Sequence, residues 1–360
     1  MGRRLDAFKE WVNPAWGVHR TVPPMEGGLR PNDRLERAEE LFVRHGLEPD
    51  AIATSGGQVY FSAGDTVYVL TSEPHAIAEL SGPVTALAEG GGILYAAVEG
   101  RGLVTVEPSG QVREVSADQA LDRCVTDIAV RDDGTVLLSV GSQRYLAGEW
   151  SSGLLTEDSS GSLVLVRGSH AEVAARGLAW PSGVAWDGDG VIVSLSLVHR
   201  MERRRADDLG SPGTVLANNM PVYPGRISAA GDGWWVAAPY TRNRFTELLL
   251  DEPEACADMM ATIERDQWFV PRLGQGNPWT DPLQIGQIRV LGVVKPWAPA
   301  RSYGLVFHID ADGRISESHQ SRVDGARHGV TGVTTVGGGV IVVARGADAI
   351  YRLETKGSVS

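Results

Sequence analysis

The sequence predicts an all-β fold, a six-bladed β-propeller, and three observations carry that reading. Glycine is abundant, 44 of 360 residues, against a usual share of about 7%. Each of several short units has a Gly or Asp-Gly turn followed by four to six β-prone residues, the signature of short hairpins. The hairpins also recur at blade-like spacing, and a meander of that kind cannot bury both faces until similar units pack around an axis.

The units run in order. "SGGQVYFSAGDTVYVL" (55–70) is two strands around a turn, and "GGGILYAAVEGRGLVTVEP" (90–108) repeats the plan. "RDDGTVLLSVGSQRY" (131–145) follows, with "GSLVLVRG" (161–168) as its outer partner. Then come "WDGDGVIVSLSLVHRMER" (186–203), "AGDGWWVAAPYTRN" (230–243) and "VGGGVIVVARGADAIYRLE" (336–354). The runs "WVAA" and "VIVVA" are expected to be inner strands. Two segments fall outside the repeat. Residues 1–45 are expected to be an arm ending in a short helix, with Asn32 or Asp33 as cap and Leu35, Ala38, Leu41 and Phe42 as its stripe. The propeller would then span 46–360, interrupted by a lid insertion at about 244–302. Its first part reads as two helices broken at Pro253. Trp268 and Trp279 in that lid either line a ligand cavity or pack the lid onto the barrel.

Composition narrows the function classes. The net charge of −12 argues against nucleic acid and anionic membranes as partners. The longest apolar runs are far too short to span a bilayer. "MGRRLDAFKEWVNPAW" lacks an apolar h-region, so a cytoplasmic location is expected. Two cysteines, Cys124 and Cys256, do not make a disulfide or zinc framework. No Walker loop, nucleophile elbow or zincin helix occurs. The apolar, Trp-rich excursion is compatible with a homodimer.

Several stretches carry a resemblance. "MPVYPGRISAAGDGWWVAAPYTRN" (220–243), "SYGLVFHIDADGRISES" (302–318) and "HGVTGVTTVGGGVIVVARGADAIYRL" (328–353) resemble three elements of the strictosidine synthase-like family. "CVTDIAVRDDGTVLLSVGSQRY" (124–145) and "WPSGVAWDGDGVIVSLSLVHRMERR" (180–204) resemble two more of its blades. The likeness covers about 40 to 355. It implies a six-bladed propeller related to senescence marker protein 30, the gluconolactonases and the paraoxonases, which hold a divalent metal in the central tunnel.

Carried over, the resemblance puts Asp50 at the expected Glu ligand, Thr126 and Asp127 at an Asn-Asp pair, Ser182 at an Asn, and Gly225-Arg226 at an Asp-Asn pair. Hydroxyls have replaced amides, and a permanent cation stands where an acid belongs. A divalent cation wants converging oxygens, and arginine stays protonated. No catalytic metal and no cofactor are therefore expected. Arg226 should face the tunnel beside Asp50 or Asp127 and replace the metal's charge; it either binds a carboxylate or stabilises an oxyanion there, or merely pairs with the acid to neutralise the tunnel. The acid/base Glu of strictosidine synthases falls on Thr331, whose hydroxyl cannot exchange protons near neutrality. Asp50, Asp127 or His328 would move protons instead. Thr126, Ser182, Thr331, Tyr240, Trp268 and Trp279 complete the expected substrate-binding set.

Three readings stay open. The first is a metal-independent hydrolase of a lactone, ester or related bond in a small organic substrate, anionic or not. The second is a lyase, cyclase or condensing enzyme, and the third a propeller that binds without chemistry. Convergent polar residues in one tunnel favour an enzyme, and the implied relatives favour hydrolysis.

Overall fold

The computed structural model describes residues 21–276, 289–290, 293–294 and 301–355. Six four-stranded antiparallel sheets stand as the blades of a propeller. Their innermost strands are Pro49–Ser55, Val84–Gly90, Val125–Val130, Pro181–Asp187, Ile227–Ala230 and Val330–Val336. Each is followed outward by a tight turn and a second strand buried at all but its first residue, and buried throughout in Val136–Val140 and Gly233–Ala237. "WVAA" and "VIVVA" are therefore second strands, not inner ones. Both faces of a second strand meet neighbouring blades, and this selects their continuous apolar character.

The ring closes by sharing a sheet between the two ends of the chain. Strand Glu39–Val43 pairs antiparallel with Ala349–Leu353, as the outermost strand of the sixth blade. The helix expected over 30–45 is thus reduced to a single 3-10 turn, Leu35–Arg37, and the propeller begins inside the expected arm. The unpaired edge of Ala349–Leu353 offers Glu39–Val43 a row of main-chain partners, and that tertiary pairing overrides a helical pattern.

Three short helices lie among the described residues, all leaving the propeller on its upper side. α1 (Trp150–Leu155) interrupts the third blade. α2 (Arg244–Leu250) and α3 (Pro253–Thr262) follow the second strand of the fifth blade, whose third strand resumes only at Gly304. Asn243 caps α2 by accepting the Thr246 N–H, and Pro253 begins α3 at a position that tolerates its missing N–H. Leu154, Leu250, Met259, Trp268 and Val270 pack these pieces together over Trp180 and Tyr223.

One irregularity recurs and positions everything that follows. In five blades the pairing of first and second strands slips at the first residues of the inner strand: at Asp50–Ala51, Thr85, Thr126, Ser182 and Thr331. Each slip is a β-bulge, which releases backbone groups from the ladder and re-aims a side chain. In the fifth blade Arg226 occupies the corresponding place, just before Ile227. The residue before the inner strand is left-handed in four blades: Glu48 (φ 53°), Cys124 (φ 55°), Trp180 (φ 51°) and Gly329 (φ 67°). Three of these are not glycine, and such backbone strain gathers where a site must be shaped.

Candidate active site

The bulges meet at the propeller axis, and Arg226 fills the meeting point. Its Nε donates to the Thr126 carbonyl at 2.9 Å. Nη1 donates to the carbonyls of Thr331 (2.8 Å) and Asp50 (3.1 Å) and lies 3.3 Å from Asp50 Oδ1. Nη2 donates to the Thr85 carbonyl at 2.6 Å and to Asp50 Oδ2 at 3.0 Å. All five N–H groups of the guanidinium thus have acceptors inside the protein. Asp127 takes the opposite part: its Oδ2 accepts the backbone N–H groups of Val184 (3.0 Å) and Ile227 (3.2 Å). Arg226 ties the first, second, third and sixth blades to the fifth, and Asp127 ties the third to the fourth and fifth.

Of the two roles open to Arg226, this arrangement favours the pairing one. It faces the tunnel and pairs with Asp50, but it has no N–H left for a substrate carboxylate or oxyanion. Asp127 is buried and lines only a lower cavity of about 340 Å³, so it moves no proton in the upper one. Burial pushes its carboxyl up to about 7, against the pull of Arg226 and of the surrounding backbone N–H groups. Arg226 touches both cavities and divides the tunnel between them.

The upper cavity encloses about 710 Å³, room for a drug-sized molecule. Asp50, Thr126, Ser182, Thr331 and Tyr240 line it. The hydroxyls of Thr126, Ser182 and Thr331 are engaged in holding the bulges. Thr126 Oγ1 donates to the Pro181 carbonyl at 2.7 Å, Thr331 Oγ1 to the Asp50 carbonyl at 2.9 Å, and Ser182 Oγ to the Trp180 carbonyl at 3.3 Å. Two expected residues lie elsewhere. His328 is fully buried outside both cavities, with Nδ1 2.9 Å from Ser302 Oγ and Nε2 2.7 Å from the Arg322 carbonyl. Burial lowers its pKa, so it is a neutral structural histidine. Trp268 packs inside the helical cap and donates to the Ile263 carbonyl, while Trp279 lies outside the described residues.

The cavity adds residues that the inner-strand reading missed. Glu99 and Arg345 each follow directly on the second strand of a blade, the second and the sixth. Antiparallel pairing returns second-strand ends to the same rim as first-strand starts, so the point to inspect in each repeat was Gly64, Glu99, Gly141, Ser196, Ala238 and Arg345. Glu99 is half-buried, and Oε2 meets the Ala147 N–H at 3.4 Å. Burial, joined by nearby Glu149, raises its pKa. Asp50 goes the other way: burial would raise it, but Arg226 and then Arg345 outweigh burial and hold it below its ordinary value. Arg345 is gripped by Glu48, with Nη2 at 2.8 Å and Nε at 3.3 Å from Oε2. One wall is aromatic: Trp150 stacks on Tyr240 with centroids 4.0 Å apart and is fixed by donating Nε1–H to Ser196 Oγ. Gly153 lets α1 lie on Trp180, for a Cβ there would come within 2.3 Å of the indole.

No family model matches this sequence, and no curated protein does either. Solved structures show the fold. A calcium-binding protein, regucalcin, from Agrobacterium tumefaciens superposes with a TM-score of 0.56 at 12% identity, over 88% of this chain and 92% of that one. A gluconolactonase from Xanthomonas campestris gives 0.52 at 12%, over 93% and 98%. A luciferin-regenerating enzyme gives 0.53 at 12%, over 90% and 95%. The chain thus has the six-bladed architecture of the regucalcin and gluconolactonase type. A calcium site does not fit these residues. The converging oxygens at the axis are the Asp50 carboxylate and the carbonyls of Asp50, Thr85, Thr126 and Thr331, and all accept from the Arg226 guanidinium. Among the described residues no group of three or more His, Cys, Asp or Glu side chains is placed to hold a metal.

Proposed function

We propose that this chain is a metal-independent hydrolase that opens a lactone, ester or related bond of a small organic molecule in the upper cavity. The observation that carries the reading is the pair of carboxyls whose acidities are driven apart in one cavity, Glu99 upward and Asp50 downward. Such a split assigns roles: the raised group is the better proton acceptor, and the lowered one stays charged and fixed. Glu99 takes a proton from water as the water oxygen attacks the carbonyl carbon. The acyl C–O bond then breaks, and the leaving oxygen takes the proton back from Glu99. Asp50 holds Arg226 in place throughout, and Glu48 holds Arg345.

The gluconolactonase fold relative supports hydrolysis over addition, and the sequence motifs support placing the chain in the strictosidine synthase-like branch. Condensation by that branch's chemistry is disfavoured, because Thr331 only clamps a bulge. The test is turnover of a panel of aliphatic and aryl lactones and esters after exhaustive chelation. Glu99→Gln should lower turnover by about 100- to 10,000-fold with little change in stability. Full activity in that variant, or loss of activity on chelation, overturns the reading.

A further inference from the structure

With Arg226 saturated, the cavity needs another donor for the carbonyl oxygen of its substrate. We infer that Arg345 Nη1 and Tyr240 Oη together form the subsite that receives this oxygen. The inference rests on the hydrolase reading for its substrate but on geometry for its residues. Glu48 engages the Nε–Nη2 edge of the Arg345 guanidinium. Nη1 is left 3.9 Å from Asp50 Oδ2, too long for a hydrogen bond, and makes none among the described residues. The Tyr240 hydroxyl likewise makes no hydrogen bond among them, while its ring is held by the stack on Trp150. Both residues line the upper cavity. Two unspent donors beside one cavity are the elements of an oxyanion site.

Charge supports a neutral carbonyl as the ground-state occupant. Arg226 and Arg345 are balanced by Asp50 and Glu48, so a neutral carbonyl can sit there without a counter-ion. The fixed donors gain strength only as negative charge develops on the oxygen, which is the condition for catalysis by differential binding. Burial pushes the Tyr240 hydroxyl up to about 12, so it keeps its proton at any working pH.

The experiment is calorimetric titration with the monoanion of methyl phenylphosphonate, a tetrahedral stand-in for the attacked carbonyl. Wild type should bind it. Arg345→Gln and Tyr240→Phe should each weaken binding by about ten- to a hundredfold. Glu48→Gln, which relieves the competing carboxylate, should strengthen it. Tyr240→Phe keeps the stack, so a loss there is not a folding effect; circular dichroism verifies the Arg345 variant. No binding to wild type, or binding unchanged in both variants, overturns the inference. Phosphonate held by both residues in a protein that turns over no lactone or ester would sink the hydrolase reading and leave the subsite standing. Turnover that persists in both variants with phosphonate binding unaltered would do the reverse.

Discussion

Replacing Arg226 by methionine should unfold the propeller more readily before it does anything to chemistry. Methionine keeps much of the stem volume and removes the guanidinium. Asp50 then loses its close cation, and the carbonyls of Asp50, Thr85, Thr126 and Thr331 lose their donor. Removing one partner of a buried ion pair costs about 3–5 kcal/mol. The side chains of Arg226 and Asp50 keep 15% and 18% of their accessible surface, so cavity water takes over part of the lost bonding and holds the total near the middle of that range. Against a typical stability of about 5–15 kcal/mol this is a large loss, and it should move the urea midpoint down by roughly 1 M or more. Arg226→Lys should fall between, since an ammonium has fewer donors and no planar fork. Arg226→Met combined with Asp50→Asn should recover part of the loss, because no buried carboxylate is then left alone. Urea unfolding at neutral pH, followed by tryptophan fluorescence, reads all four proteins. An Arg226→Met midpoint equal to wild type would refute the idea that the guanidinium holds the ring together.

Other outcomes follow from the same geometry. The folded Asp127 carboxyl sits at about 7, above its unfolded value, so the native state binds the extra proton. Its contribution to stability should therefore be full at low pH and decline as pH rises from about 4 to about 7. Asp127→Asn should flatten that slope in urea midpoints measured across this window. Gly183→Ala should cost several kcal/mol, about the range of overpacking, because its Cβ would stand 2.2 Å from the Gly225 carbonyl and wedge two blades apart; thermal melting checks it. With any substrate found, the acid limb of the kcat/KM profile should lie above the ordinary glutamate range, as burial raises Glu99, and should vanish with residual activity in Glu99→Gln.

The ring and the position of Arg226 were legible because both depend on local periodicity. Equivalent points of a repeat meet at an axis, so a residue's phase in its unit tells where it ends up. Its partners were harder to read. Asp50 was within reach of that reasoning, but four main-chain carbonyls carry no sequence signature, and they are what consume the guanidinium. Glu99 and Arg345 escaped because only strand starts were compared, while an antiparallel ladder brings strand ends to the same rim. His328 looked reactive as a type of residue, yet its two nitrogens are placed by Ser302 and Arg322, contacts that no spacing announces. Glu39–Val43 was misread for the opposite reason: its local pattern is compatible with a helix, and only a partner at the far end of the chain decides.

That closing strand has a consequence for how the protein is made. Glu39 and Arg352, which face each other in the finished sheet, are 313 positions apart. During synthesis Leu41 and Phe42 must wait, unpaired, until almost the whole chain has followed them. Five blades can assemble as they emerge, each on its neighbour, but the ring is sealed only when the latest strand captures the earliest one. A contact that distant is slow to find, so refolding should end in a slow phase that reports ring closure. Until it is complete, the open edge of Ala349–Leu353 offers the same pairing to any other copy of Glu39–Val43, and crowded refolding should therefore yield exchanged dimers.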